Sequence, residues 1–121
     1  MARRDLSGAV DFAYLETYAG HDGQVIDEVL ELFGGQAESW VRLLDPNTGE
    51  GWRDAAHTLK GAALGIGARA LAAACGEAET AAEPDRARLV TRVRDELDLA
   101  LADVAAYRHE QLLNGLRTPR R

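Results

Sequence analysis

Apolar residues return along most of the chain with the three- and four-residue steps of a helix. Ile26, Leu30, Phe33, Ala37, Trp40 and Leu44 step by 4, 3, 4, 3 and 4, which draws one amphipathic stripe along a helix face. Gly34 and Gly35 interrupt this segment, each at a cost of about 1 kcal/mol in a helix interior. The phase runs through them, so one helix is predicted, with the glycines as the place where it could bend. Trp52, Ala56, Leu59, Ala63 and Ile66 form a second stripe. Leu71, Ala74, Cys75, Ala78 and Ala82 form a third, whose small side chains allow close helix approach. Val90, Val93, Leu97, Ala100, Val104 and Tyr107 form the fourth. Pro84 fits the first position of that last helix, where its missing N–H is not needed. The helix is expected to run to about Asn114, with Gly115 as its stop. Phe12, Leu15 and Tyr18 suggest a short leader helix that caps one end.

Turn signals separate the stripes: Gly20-His21-Asp22-Gly23, the run from Pro46 to Gly51, Gly65-Ile66-Gly67 and Glu83-Pro84-Asp85. No stretch alternates with period two and is rich in β-branched residues, so no strand is expected. Helices joined by short loops pack as antiparallel neighbours. The expected fold is all-α: an antiparallel up-down-up-down four-helix bundle with a short N-terminal capping helix. It is read as one domain over 1–121, the bundle at about 22–114 between flexible tails.

Composition narrows the partners. An apolar share of 46% is that of a folded globular chain, and no apolar run reaches the roughly 18 residues that a bilayer requires. Without a secretory leader after Met1, a small soluble cytoplasmic monomer is expected. Cys75 is the lone cysteine, which excludes an internal disulfide and a thiolate metal cluster. Five of the 14 basic residues (Arg3, Arg4, Arg117, Arg120 and Arg121) sit in the tails, leaving nine against 20 acids over residues 5–116. So acidic a body repels phosphate backbones, and nucleic-acid binding is not expected. Lys60 is the sole lysine.

Of the three histidines, His21 falls in a Gly/Asp-rich loop and His109 near the end of the last helix. Neither has a histidine partner at helical metal spacing. His57 differs. At 100° per residue the core stripe of its helix is centred about 150° away, so the imidazole points outward. Arg53, Lys60, Gly61 and Leu64 lie within about 60° of it on the same face. Lys60 at i+3 and Gly61 at i+4 are its surface neighbours.

That set suits a nucleophilic histidine. A neutral imidazole nitrogen attacks phosphorus without prior deprotonation. A positioned ammonium stabilises the charge on the phosphoryl oxygens in flight, and a glycine leaves room for a bulky donor. The other ring nitrogen must keep its proton. Glu79, about 40° from Cys75 at the edge of the third stripe, is placed to accept it. Leu64, apolar on an outward face, and Arg53 are candidate docking contacts for a partner. Trp40, Trp52 and Cys75 are assigned to the core.

The run His57-Thr58-Leu59-Lys60-Gly61-Ala62-Ala63-Leu64-Gly65-Ile66-Gly67-Ala68 resembles the signature of histidine phosphotransfer (HPt) domains, His-x-Leu-Lys-Gly-[Ser/Ala]-[Ser/Ala] followed by an apolar residue and Gly-Ala. Leu71, Cys75 and Glu79 match the family's Leu-x3-Cys-x2-Leu-Glu continuation. The likeness covers roughly residues 12–112. Ala78 departs from it where leucine is preferred, and Ala62-Ala63 where serine is common.

The resemblance implies a phosphorelay intermediate. It takes a phosphoryl group on His57 from a receiver-domain aspartate or a kinase and passes it to a response regulator. Lys60 would be the electrostatic partner, Gly61 the clearance position and Glu79 the acceptor that orients the ring. Receiver domains and a sensor or hybrid histidine kinase are the implied partners. No cofactor is expected on this chain, since the receiver supplies the Mg²⁺. No Gly-rich phosphate loop follows a strand, so autokinase activity is not expected. Two other readings remain: a non-transferring helical adaptor with an HPt-like fold, and the phosphoacceptor module of a chemotaxis-type kinase.

Overall fold

The structure, a computed structural model, describes residues 7–47, 49 and 51–117. These residues form five helices and no strand: α1 (Phe12–Tyr18), α2 (Gly23–Leu43), α3 (Gly51–Gly65), α4 (Arg69–Glu79) and α5 (Arg86–Arg117). α2 and α4 each pack against both α3 and α5, the neighbour order of an antiparallel four-helix bundle. The expected tail arginines at 3, 4, 120 and 121 lie outside the described residues. No described helix is long and apolar enough to cross a membrane.

The helical stripes become the buried faces. Leu30, Leu44, Trp52, Leu59, Val93 and Leu97 have no exposed surface, and each such side chain contributes roughly 1.5–3 kcal/mol by leaving water. α2 runs unbroken through Gly34 and Gly35. A Cβ at either would meet nothing within 4 Å, so packing asks for neither glycine. Asp22 caps α2 by accepting from the Gln24 and Val25 amides at 3.0 and 3.2 Å. Its far end is closed by Arg94 of α5, which donates to the carbonyls of Val41 and Leu44.

The structure corrects four local expectations. α4 ends at Glu79 with Thr80 as its cap, so the helical phase stops there; Ala82 is exposed and Ala81 is buried instead. Pro84 lies in the turn between α4 and α5, after a cis peptide bond, and α5 begins two residues later at Arg86. Gly115 does not take the left-handed conformation of a helix stop, and α5 continues to Arg117. In α1, Phe12 and Leu15 are buried, whereas Tyr18 is 76% exposed.

The leader caps the bundle through polar as well as apolar contacts. Asp103 of α5, 2% exposed, accepts from the Ser7 amide at 2.8 Å, the Ser7 hydroxyl at 3.0 Å and the Ala9 amide at 2.9 Å. Phe12 stacks on Tyr107 with ring centroids 4.2 Å apart. The Asp11 amide donates to the Gly67 carbonyl at 3.0 Å. Gly67 has φ +79°, and a Cβ there would sit 3.0 Å from the Asp11 carbonyl oxygen, so only glycine fits beneath the leader.

Candidate functional site

The outward face of α3 meets the end of α4 in a shallow polar groove. α3 buries Trp52, Ala55, Ala56, Leu59 and Ala63, which turns His57 to the opposite side. Its side chain is 71% exposed. His21, in the left-handed conformation (φ 61°), and His109 are also exposed, and neither joins this groove.

Glu79, the last residue of α4, reaches across it. Its Oε1 lies 2.9 Å from His57 Nδ1 and its Oε2 lies 2.9 Å from Lys60 Nζ. Burial alone would raise the Glu79 carboxyl, but the Lys60 and His57 contacts outweigh it and hold it below the usual carboxylate range. An ionised Glu79 is an acceptor only, so it fixes the ring proton on Nδ1 and leaves the Nε2 lone pair toward solvent. Lys60 is 35% exposed. An ammonium has three donors, and one spent on Glu79 leaves two for a visiting anion.

Gly61 adds no side chain beside the ring, and a Cβ built there would meet nothing within 4 Å. Leu64, two turns along from His57, is 53% exposed. Arg53 is half-buried and turned toward α4. Its guanidinium donates to the main-chain carbonyl of Glu79 and lies 4.5 Å from the centroid of the Trp52 ring. The structure thus brings His57, Lys60, Glu79 and Arg53 together, with Gly61 and Leu64 on the open side. The Arg53–carbonyl contact escapes sequence reading, because it joins a side chain to a main-chain atom 26 residues away. The one available signal is a cation one turn before the histidine.

Cys75 is fully buried behind the groove. Burial, with the Glu79 charge adding to it, pushes its thiol up to about 12, which keeps it an inert apolar filler at neutral pH. Among the described residues, no group of three or more His, Cys, Asp or Glu could hold a metal ion.

The family model for the Hpt domain matches residues 23–106. The crystal structure of the histidine phosphotransferase ShpA from Caulobacter crescentus is similar at 51% identity and a TM-score of 0.78, over 90% of this chain and 99% of that one. No curated protein matches. With helices α2 to α4 and most of α5 inside the matched region, the chain belongs to the Hpt domain family.

Proposed function

We propose that His57 is the phosphoacceptor of this protein, with Nε2 as the attacking nitrogen. The chain is a phosphorelay intermediate in two-component signalling, where HPt proteins carry phosphoryl groups between kinases and response regulators. The observation that carries the assignment is the exposed imidazole whose Nδ1 alone is engaged, by Glu79 at 2.9 Å. In the forward step the Nε2 lone pair forms a P–N bond while the P–O bond of a receiver's aspartyl phosphate breaks. Its electron pair leaves with the aspartate carboxylate. The ring gains positive charge and keeps its Nδ1 proton, and Glu79 stabilises that charge. Lys60 meets the developing charge on the equatorial oxygens, and Gly61 gives the donor passage. The reverse sequence passes the group to a second receiver.

Leu64 supplies an apolar contact for the docked receiver, and Arg53 borders the same face. The partners are receiver domains and a sensor or hybrid histidine kinase. The Mg²⁺ used in transfer belongs to the receiver, and ATP-driven autophosphorylation is not part of this chain's activity. Nucleic acid and membrane are not partners of so acidic a surface.

The test mixes the protein with a phosphorylated receiver domain and Mg²⁺. Label should move to this chain, and His57→Gln should abolish the transfer. The adduct should be labile in acid and stable in alkali, as a phosphoramidate is. Labelling that persists in His57→Gln, or an acid-stable adduct, overturns the assignment.

A further inference from the structure

Arg53 stands one turn before His57 on α3, with its guanidinium bonded across the groove to the Glu79 carbonyl. The last four carbonyls of a helix have no partner within it, and their partial negative charge favours a cation. Glu79 is the last residue of α4, where an untethered helix frays. Arg53 is itself held, packed 4.5 Å from the ring centroid of Trp52, a residue with no exposed surface. The same device closes α2, where Arg94 takes the Val41 and Leu44 carbonyls. Those carbonyls belong to apolar residues. At α4 the clamped carbonyl belongs to the residue whose carboxylate holds the imidazole.

We propose that Arg53 is a positioning residue for His57: by binding the Glu79 carbonyl it fixes the end of α4, so that the Glu79 carboxylate stays on Nδ1 and Nε2 stays free. The inference rests on the reading of His57 as phosphoacceptor. It gives Arg53 an action that precedes docking and needs no partner. The ring is then held from both sides of the groove, since Arg53 and His57 share α3 while Glu79 receives both.

The ring can be read directly. In the wild-type protein the ¹⁵N shifts of His57 should show a protonated Nδ1 and a free Nε2. Arg53→Met should move both shifts toward the average of the two tautomers, and Arg53→Lys should restore much of the difference. Arg94→Met, which loses the equivalent clamp on α2, should leave the ring shifts at their wild-type values. Phosphoramidate provides a partner-free rate: its P–N bond breaks as the Nε2–P bond forms, and the leaving nitrogen takes a proton from water and departs as ammonia. Arg53→Met should slow that reaction about tenfold, less than the roughly hundredfold that a 1 Å misplacement of reacting groups can cost. In a Glu79→Gln background Arg53→Met should slow it no further.

Unchanged ring shifts with a wild-type phosphoramidate rate overturn the proposal, and a slowed transfer from a receiver alone would then assign Arg53 to docking. A slowed rate in the Glu79→Gln background also overturns it. Should Arg53→Met fail to fold, Arg53→Gln, uncharged and shorter in reach, decides by the same ring shifts: averaged shifts support the proposal and wild-type shifts overturn it. Failure of the phosphoacceptor reading looks different: wild-type His57 would take no label from either donor, while the tautomer measurement would still report on Arg53.

Discussion

Glu79 and Asp103 are both carboxylates that gather donors from distant parts of the chain, yet they do opposite work. Asp103 is 2% exposed and takes two main-chain amides and a hydroxyl from the leader. None of those donors titrates near neutral pH, and the knot has no face left for a ligand. Glu79, with 18% of its side chain exposed, takes an imidazole and an ammonium that each keep a free side. The same acceptor chemistry therefore anchors a segment where it is sealed and, in the proposed function, organises a reactive surface where its donors remain open.

The largest effect should come from the sealed carboxylate. Asp103→Ala leaves three donors near the leader without their acceptor, and each buried orphan costs about 1–3 kcal/mol. Some will find water, so a net loss of about 3 kcal/mol is expected, seen as a fall of roughly 10 °C in Tm. Phosphoryl transfer at 25 °C should stay at the wild-type rate. A rate that falls while the protein is fully folded would make the leader part of the transfer surface and erase the contrast.

Glu79→Gln is the converse experiment. Gln keeps the shape but loses the charge and can present an N–H to the ring, so the tautomer is no longer fixed. Transfer should slow about tenfold, equal to about 1.4 kcal/mol in the barrier, with unfolding little changed. A variant that unfolds early but transfers normally when folded would move Glu79 into the same class as Asp103.

Acid sharpens the distinction further. The Glu79 carboxyl is held below its ordinary 4.5 by the Lys60 and His57 contacts, which outweigh burial. A carboxyl lowered in the folded state stabilises it above the unfolded value, and that contribution is lost as pH falls below about 4.5. The wild-type protein should therefore lose stability more steeply below pH 4.5 than Glu79→Gln does. Parallel denaturation curves across that range would show that the ion-pair contacts do not persist in solution.

The stripes were legible because burial in a bundle follows helical period. Every position of the first, second and fourth stripes is buried, and the outward angle of His57 followed from the same arithmetic. The facing of Glu79 could be read from its angle to Cys75, since α3 and α4 are joined by a three-residue turn. Contacts set by long-range closure were not legible. The Ser7–Asp103 knot spans 96 positions, and the clamps at the ends of α2 and α4 pair guanidinium groups with main-chain carbonyls that any residue could supply. Local stops failed for a related reason: Gly115 permits a helix end without requiring one.

The smallest effect separates two glycine sites that look alike. A Cβ at Gly61, Gly34 or Gly35 would meet nothing within 4 Å, so each forgoes about 0.5–1 kcal/mol of helix stability for no packing reason. In α2, Gly34→Ala should recover that stability with transfer unaffected. In α3, Gly61→Ala should stabilise by a similar amount, whereas Gly61→Gln should hold stability near wild type and slow transfer several-fold, because a long side chain at i+4 overlies the ring. The cost at Gly61 then appears only when a phosphoryl donor must pass. If Gly61→Gln transfers as fast as wild type, open space beside His57 is incidental, and the two glycine sites are the same after all.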